Sequence, residues 1–453
     1  MALTGIEIFK LLPKINCKKC GFPTCLAFAM KVAQGQANIE QCPEASDEVK
    51  AKLKEASSPA IRGIVFGLKN KPIKIGEEQC LFRHEKKFFN PPVLTRRIKD
   101  IDDNIEELVE EVLNSQIERV GEFLKIDAIF LENKSSDVEK FTTALQKIIN
   151  KAEIPVILGT FNPDAAKSAL NLLKNNEILT KNHPILFAAN EDNIAQMTQI
   201  AKQYNIPLVI TAKGIEKVIS LIDKASAQGI EDLLIDTQPK TAGELMRDNT
   251  LIRRAALKKK VKSAGYPIIT FAMRDSEFYE TVTASLAILK YSSIIVLNST
   301  PKWKNLILFT LKQNIYSDPQ VPMQVKQDIC RVGEADDMSP IIITTNFALT
   351  YFLVKGEIEN SKIPTWLGIM DCDGLSVLTA WAAGKFSAGK IAQFIKESGM
   401  EEKLTHKELI IPGYVAMLKG AIEDKLPQWR VVIGPKEASA LPAFLRNYMR
   451  NRR

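Results

Sequence analysis

Between residues 127 and 297, short runs of β-branched and aliphatic residues alternate with stretches whose apolar positions return every three or four residues. The runs are Asp127-Ala-Ile-Phe-Leu131, Pro155-Val-Ile-Leu-Gly159, Pro184-Ile-Leu-Phe-Ala188, Pro207-Leu-Val-Ile-Thr211, Asp232-Leu-Leu-Ile-Asp236, Pro267-Ile-Ile-Thr-Phe271 and Ser293-Ile-Ile-Val-Leu297. Three or four apolar residues in succession describe strands buried on both faces, the condition of a parallel sheet flanked by helices. Seven such strands predict β/α repeats. An eighth, from Val93 to Ile98 or in the Leu81 to His84 segment, would complete a (β/α)8 TIM barrel. A doubly wound sheet is the alternative, but no G-x-G-x-x-G turn follows the first strand.

Barrel chemistry sits at the carboxyl ends of the strands. The polar residues there are Glu132, Asn133, Thr160, Asn162, Asn190, Asp192, Asn193, Lys213, Asp236, Gln238, Arg274, Asp275 and Asn298. No acid–histidine pair stands out among them, and Asp or Asn at such positions also caps the following helix.

Past Gln313 the pattern changes. Asn314 to Met323 holds two prolines and little periodicity, which predicts a linker reaching to about Pro340. A strand Ile341 to Asn346 then leads to a helix from Phe347 to Lys355. A second strand, Thr365 to Cys372, turns through Asp373-Gly-Leu-Ser-Val-Leu-Thr379 into a helix Ala380 to Lys385. Two further strands run over Glu408–Pro412 and Trp429–Pro435, with a helix Val415 to Glu423 between them. Alternating strands and helices with small, polar strand ends describe an open α/β sheet with a cofactor-sized crevice. Gly374 before a helix lets backbone amides approach an anionic or amide-rich ligand; an ordinary strand–turn–helix with Ser376 as N-cap accounts for it equally well.

The N-terminus carries the most specific signal. Cys17, Cys20, Cys25 and Cys42 are spaced C-x2-C-x4-C-x16-C. Four thiolates suit a cubane iron–sulfur cluster or a structural zinc, and spacing alone does not separate them. Three ligands within nine residues and a remote fourth followed by Pro43 depart from the paired knuckles of zinc sites and favour iron. Gly21-Phe22-Pro23 forms a turn beside the ligands, and a helix from Leu26 to about Ile39 carries the chain to Cys42. Seven cysteines, with Cys80, Cys330 and Cys372 scattered, argue against a disulfide framework.

At 453 residues the chain exceeds a single core, and its 45% hydrophobic content is ordinary for globular proteins. The formal net charge of +8 is dispersed among 53 acidic residues, so no nucleic-acid stripe is expected. No apolar run approaches the roughly 18 residues of a spanning helix, and the N-terminus does not read as a signal peptide. A cytoplasmic protein is the expectation.

The motif Cys17-Lys-Lys-Cys-Gly-Phe-Pro-Thr-Cys25 with Cys42, the segment Leu81-Phe-Arg-His-Glu-Lys-Lys-Phe88 and Asp373-Gly-Leu-Ser-Val-Leu-Thr-Ala-Trp-Ala-Ala-Gly-Lys385 occur in order over essentially the whole chain. In these the chain resembles the large subunit of corrinoid iron–sulfur proteins, the gamma subunit of acetyl-CoA decarbonylase/synthase systems. The resemblance implies a [4Fe-4S] domain and linker over residues 1–59, a TIM barrel over 60–313, and a linker with a Rossmann-like corrinoid domain over 314–453. Cys17, Cys20, Cys25 and Cys42 match the family's cluster ligands. By position, Thr344, Thr345, Asn346, Thr350, Gly374, Leu375, Ser376, Val377, Leu378 and Gly434 would contact the corrinoid.

The implied function is that of a methyl carrier in the reductive acetyl-CoA (Wood–Ljungdahl) pathway, the corrinoid-bearing component of a Co-methyltransferase system. Cobalt accepts a methyl group from methyltetrahydrofolate or methyltetrahydropterin and passes it to acetyl-CoA synthase, so the chemistry lies at cobalt and no side chain is catalytic. The cluster returns Co(II) to Co(I). The implied partners are the family's small subunit, a methyltransferase, acetyl-CoA synthase/CO dehydrogenase and a low-potential reductant such as ferredoxin, with no nucleic acid or membrane. The chain has only His84, His183 and His406 and no D-x-H-x-x-G motif, which fits a base-off cobamide without a histidine ligand. His84, placed before the barrel, reads as structural. The alternative is a cluster-bearing electron-transfer protein without corrinoid. Because cluster and methyltransferase would need the same cobalt face, the cysteine domain is expected to be tethered flexibly through Glu44 to Pro59, and the corrinoid domain to move on Asn314–Pro340.

Overall fold

The computed structural model describes residues 5–33, 37–46, 48–50, 59–175, 182–272 and 276–452. Its strands are β1 (Ile64–Leu68), β2 (Lys71–Ile75), β3 (Val93–Lys99), β4 (Ile117–Arg119), β5 (Glu122–Leu124), β6 (Ala128–Glu132), β7 (Val156–Gly159), β8 (Asn182–His183), β9 (Ile185–Ala189), β10 (Leu208–Thr211), β11 (Leu233–Asp236), β12 (Ile268–Phe271), β13 (Ser292–Leu297), β14 (Asp328–Val332), β15 (Ile341–Thr345), β16 (Thr365–Met370), β17 (Glu408–Ile411) and β18 (Arg430–Ile433). They fall into two compact units. One comprises Met1–Leu81, Pro92–Ile105 and Ala128–Asn298, the other Phe82–Pro91, Glu106–Asp127 and Ser299–Arg453.

The first unit contains a closed eight-stranded barrel in the order β10-β11-β12-β13-β3-β6-β7-β9, with neighbouring strands parallel. The seven apolar runs are seven of its strands, and the eighth is β3, not the Leu81 segment. Every residue of β7, β9, β10 and β11 is buried, because side chains fill the barrel on one face and helices cover the other. Phe130, Phe187 and Phe271 meet in the interior with ring centroids 5.0 to 5.3 Å apart.

The antiparallel hairpin β1–β2 was not foreseen. Its Ile64, Phe66 and Ile75 share an apolar cluster with the barrel-lining residues. Gly67 and Gly76 lie against Pro155 and Pro267, the residues just before β7 and β12, so the hairpin crosses the amino ends of the strands.

At the N-terminus of this unit the helices Gly5–Leu11 and Cys25–Ala33 pack through Ile8, Leu12, Phe28 and Ala29. The helix expected to reach Ile39 is described only to Ala33, and a 3-10 turn covers Ile39–Gln41. Residues 47 and 51–58, most of the expected tether, lie outside the described residues.

The second unit is built on a five-stranded sheet of order β14-β16-β15-β17-β18, in which only β14 is antiparallel. The strands alternate strictly. Ile341 and Ile343 face one core with Trp366, Met370, Leu409, Ile411 and Val431. Ile342 faces the other with Leu367, Ile369 and Ile410. A pleated strand sends successive side chains to opposite faces, and each fully buried aliphatic contributes about 1.5–3 kcal/mol.

Two expectations are corrected here. The segment Asn314–Pro340 is not a free linker: it contains β14, which pairs with β16 along its length. The Val325 amide donates to the Asn346 carbonyl at 2.8 Å, and the Ala348 amide to the Met323 carbonyl at 2.9 Å. The prolines concealed an edge strand, whose outward positions are polar and give no apolar run. The helix expected at Ala380–Lys385 begins earlier, at Val377, and ends at Ala382, because the turn before it is completed by Gly374.

The unit also takes in a hairpin, β4–β5, that follows β3 in the chain. Val120 at its tip is 3% exposed and joins the core of Val325, Val332, Ile342 and Tyr351. Lys355 pairs with Glu118 at 3.4 Å, and Gln313 Nε2 donates to the Arg119 carbonyl at 3.1 Å.

Candidate cofactor sites

In the five-stranded sheet the chain runs from β15 outward to β16, then crosses to the other side of β15 for β17. Helices leaving the two neighbouring strands diverge at such a reversal and open a crevice beyond the carboxyl ends. A crevice of about 250 Å³ lies there, formed by β15, the ends of β17 and β18, the helix Ala348–Ser361 and the turn Ser376–Leu378. Of the residues anticipated from the sequence, Thr344, Thr350, Ser376, Val377, Leu378 and Gly434 line it.

Thr345, Asn346, Gly374 and Leu375 do not. Thr345 is wholly buried, and Leu375 packs on the apolar core. Asn346 is 2% exposed and braces the turn from beneath. Its Oδ1 accepts from the amides of Cys372 at 2.9 Å and Gly374 at 3.0 Å. Its Nδ2 donates to Asp371 at 3.0 Å. Gly374 has φ +70°, and a Cβ there would stand 2.7 Å from Gln324 Cγ and 3.0 Å from the Pro322 carbonyl. Only glycine fits both the conformation and the space. Above the turn Lys385 pairs with Asp373, which lowers the Asp373 carboxyl below its ordinary value.

Several lining residues escaped the sequence reading. Tyr414 donates its hydroxyl to Glu437 across the ends of β17 and β18, and that carboxylate raises the phenol. Pro412, Pro435 and Lys436 complete this side. The signal was available: Pro412 directly follows the strand ending at Ile411, and Gly434-Pro435 follow the one ending at Ile433, marking two strand ends.

In the crevice lining, the Thr344 hydroxyl is buried without a hydrogen-bond partner; the Thr345 hydroxyl, equally unpartnered, belongs to the opposite face of β15. A buried hydroxyl without a partner costs about 1–3 kcal/mol, and a ligand bearing amides or other polar edges would supply what is missing. The crevice is smaller than the roughly 300 Å³ at which drug-sized sites begin, so it takes an arm of a large group rather than all of it.

In the N-terminal module all four cysteines are free thiols. Cys25 and Cys42 are buried in the module's small core, and Cys20 packs against it. The Cys25 amide donates to Asn16 Oδ1 at 2.7 Å, and the Gly21 amide to the Lys18 carbonyl at 3.0 Å, which fold the loop back on itself. Among the described residues no three His, Cys, Asp or Glu side chains converge tightly enough to hold a metal ion. The thiols match a cubane in kind and number, and ligand sets of this type close as the metal binds.

The family model described as "CO dehydrogenase/acetyl-CoA synthase delta subunit" matches residues 63–445. A second, described as "Putative Fe-S cluster", matches residues 12–44, which hold all four cysteines. The corrinoid/iron-sulfur protein large subunit of Moorella thermoacetica is 39% identical over 98% of this chain and 99% of its own. The chain belongs to the corrinoid/iron–sulfur protein large-subunit family. The acetyl-CoA decarbonylase/synthase complex subunits gamma of Methanocaldococcus jannaschii and Methanothermobacter thermautotrophicus are 31% and 33% identical, each over 98% of this chain.

In this corrinoid/iron–sulfur chain the polar residues at the barrel mouth are engaged with one another and with backbone. Glu132 accepts from Arg97 Nε at 2.7 Å, and Asn133 Nδ2 donates to Thr160 at 3.0 Å. Asn162 accepts from the Asp164 amide at 2.9 Å, the helix-cap role. Asn190 accepts from the amides of Asp192 and Asn193 at 3.0 and 3.1 Å. Asp236 accepts from Thr211 at 2.7 Å and the Gln238 amide at 3.0 Å, and complete burial pushes its carboxyl up to about 6. The Asn298 amide donates to Glu280. Lys213 is felt only as a charge near Glu244, and Arg274 and Asp275 lie outside the described residues.

No histidine lines the crevice. His84 stacks on Phe82 with ring centroids 5.7 Å apart, and His183 lies in β8 of the other unit. His406 precedes β17, at the opposite end of the sheet, with Nε2 against the Ser339 carbonyl at 2.9 Å and Nδ1 accepting the Glu408 amide at 3.2 Å. Among the described residues no helix is long and apolar enough to cross a membrane.

Proposed function

We propose that this chain carries a methyl group on a corrinoid held at the reversal point of its C-terminal sheet, and that its four N-terminal cysteines hold the [4Fe-4S] cluster that keeps the carrier active. When bound, the corrinoid supplies a cobalt that takes up and releases the methyl group, and the cluster supplies a low-potential electron. One observation carries the reading: the buried, unpartnered Thr344 hydroxyl in the crevice at the carboxyl end of β15, in a chain 39% identical to a corrinoid/iron-sulfur protein.

The crevice residues then have separate tasks. Leu353, Val354, Val377 and Leu378 give an apolar wall that excludes water. Thr344 offers a hydroxyl donor to the polar edge of the bound arm. Asn346 and Gly374 fix the turn that presents Ser376. No histidine lines the crevice, and both ring nitrogens of His406 are engaged by backbone, which supports a cobamide that would be held base-off and without a histidine from this chain. In the module, Cys17, Cys20, Cys25 and Cys42 would each give one thiolate to one iron.

The relatives' names speak of a large subunit and of a complex. By that likeness the chain works with a small subunit, a methyltransferase acting on a tetrahydrofolate or tetrahydropterin, and acetyl-CoA synthase/CO dehydrogenase, as the corrinoid component of a Co-methyltransferase system in the cytoplasm.

Anaerobic metal analysis of the purified chain with its small subunit tests this. The expected result is about four irons and one cobalt per chain. Serine at any of the four module cysteines should lower iron and leave cobalt unchanged, whereas serine at Cys80, Cys330 or Cys372 should leave iron unchanged. Iron without cobalt would reduce the chain to an electron-transfer protein, and zinc in place of iron would remove the redox role.

A further inference from the structure

The loop that carries three of the four module cysteines is closed by a single side chain. Asn16, the residue before Cys17, accepts the Cys25 amide on its Oδ1 at 2.7 Å. Cys17, Cys20 and Cys25 all lie within the ring that this bond forms. Asn16 has φ +48°, a left-handed conformation that asparagine adopts more readily than most residues, and its short side chain bonds to nearby backbone from there. Other amides beside the ligands also end on oxygen. Gly21 donates to the Lys18 carbonyl at 3.0 Å and Cys42 to the Ile39 carbonyl at 3.0 Å, while Ala27 donates to Thr24 Oγ1 at 3.1 Å.

Cys25 differs from the rest. It opens the helix Cys25–Ala33, so its N–H finds no acceptor within the helix. The residue is 7% exposed, which also keeps that N–H from bulk water. Were Asn16 absent, the acceptors left to it in a loaded module would be the sulfurs of the cluster that its own thiolate helps to hold. Hydrogen bonds to cluster sulfurs are one of the levers that set the potential, because they stabilise the reduced, more negative state and raise it. An N–H held by a side-chain oxygen does not contribute to that rise.

We propose that Asn16 is a positioning residue that withholds the Cys25 N–H from the cluster and so keeps the cluster's potential low. It acts through the Cys25 amide and not as a ligand. The inference rests on the cluster reading above.

The test uses the full chain with its small subunit and the variants Asn16→Gly and Asn16→Asp. Glycine keeps the left-handed backbone and removes the acceptor without a change of charge, whereas aspartate keeps the acceptor. Iron content and the electron paramagnetic resonance signal of the reduced cluster are measured first; their absence in the wild type would sink the cluster reading itself. With the cluster present, a redox titration should find roughly tenfold more reduced relative to oxidised cluster in Asn16→Gly than in wild type at the same solution potential, an upward shift of about 59 mV for a one-electron couple. Asn16→Asp should not rise above wild type. In the metal-free chain, hydrogen exchange at the Cys25 amide should be fast in Asn16→Gly and slow in both wild type and Asn16→Asp. Faster exchange in the glycine variant with an unchanged potential would overturn the proposal, since Asn16 would then only brace the loop. Equal Cys25 exchange in the glycine and wild-type chains would overturn it too, because the bond would not be holding that amide. Should the glycine variant lose its iron, Asn16→Asp decides: a potential above wild type overturns the proposal, and wild-type iron with a potential at or below wild type upholds it.

Discussion

Replacing Asn346 by alanine should loosen the turn at residues 371–374 while leaving the sheet intact. Its carbonyl oxygen is the acceptor for the Cys372 and Gly374 amides, at 2.9 and 3.0 Å, and its amide reaches Asp371 at 3.0 Å. Alanine leaves two buried donors unpaired. At about 1–3 kcal/mol each, the local structure loses about 2–6 kcal/mol. Even the lower figure corresponds to roughly a 30-fold loss of protection at those amides, since 1.4 kcal/mol is a factor of ten. Hydrogen exchange read residue by residue gives the assay, with β15 and β17 amides as internal controls. Asn346→Asp keeps the acceptor, so the Cys372 and Gly374 amides should stay protected while the link to Asp371 turns repulsive. Corrinoid retention should follow the turn: weakened in the alanine variant although Asn346 does not line the crevice. Unchanged exchange at Cys372 and Gly374 in Asn346→Ala would refute the bracing role.

Thr344→Val is nearly isosteric and removes a hydroxyl without a partner; the corrinoid-free protein should gain about 1 kcal/mol or more in stability while corrinoid affinity falls, and equal affinity would take Thr344 out of the site. Asp236 titrates at about 6 when folded against 3.8 as its ordinary value. A raised carboxyl stabilises the fold fully below about 3.8, and that contribution is lost as pH rises through about 6. Relative to Asp236→Asn, wild type should therefore lose on the order of 3 kcal/mol of barrel stability across that window, read by denaturant unfolding at a series of pH values; parallel profiles would deny the shift. Val120→Asp places a charge in the C-terminal core and should unfold that domain while cluster iron is retained, which limited proteolysis with iron analysis would show.

What was legible in the sequence follows from burial. Strands covered on both faces, such as Val156–Gly159 and Leu208–Thr211, are apolar over all but their last residue, so composition alone marks them. The reversal crevice was legible because Ile341–Thr345 and Thr365–Met370 are equally buried, the first ending in two threonines and the second running straight into Asp371-Cys372-Asp373-Gly374. β14 was not, because an edge strand buries only part of its surface and reads Asp-Ile-Cys-Arg-Val. Asn346 was placed at the right strand end, but periodicity does not say whether a side chain points into a crevice or turns beneath the loop beside it. Tyr414 and Glu437 meet only because β17 and β18 are neighbours in space, which no local pattern records.

The hairpin β4–β5 sets a timetable for synthesis. Val120 leaves the ribosome long before Val325 and Ile342, the residues it packs against. At about 5–20 residues per second, closing that gap of about 200 residues takes on the order of 10–40 seconds. Through that interval an apolar tip waits in solvent, and the loop it finally closes carries the entropy of every residue between. The C-terminal domain therefore cannot finish folding as an appendage made after the rest. A fragment beginning at residue 299 would lack part of its core, and a chaperone that shields residues 117–124 during translation would raise the yield of the whole protein.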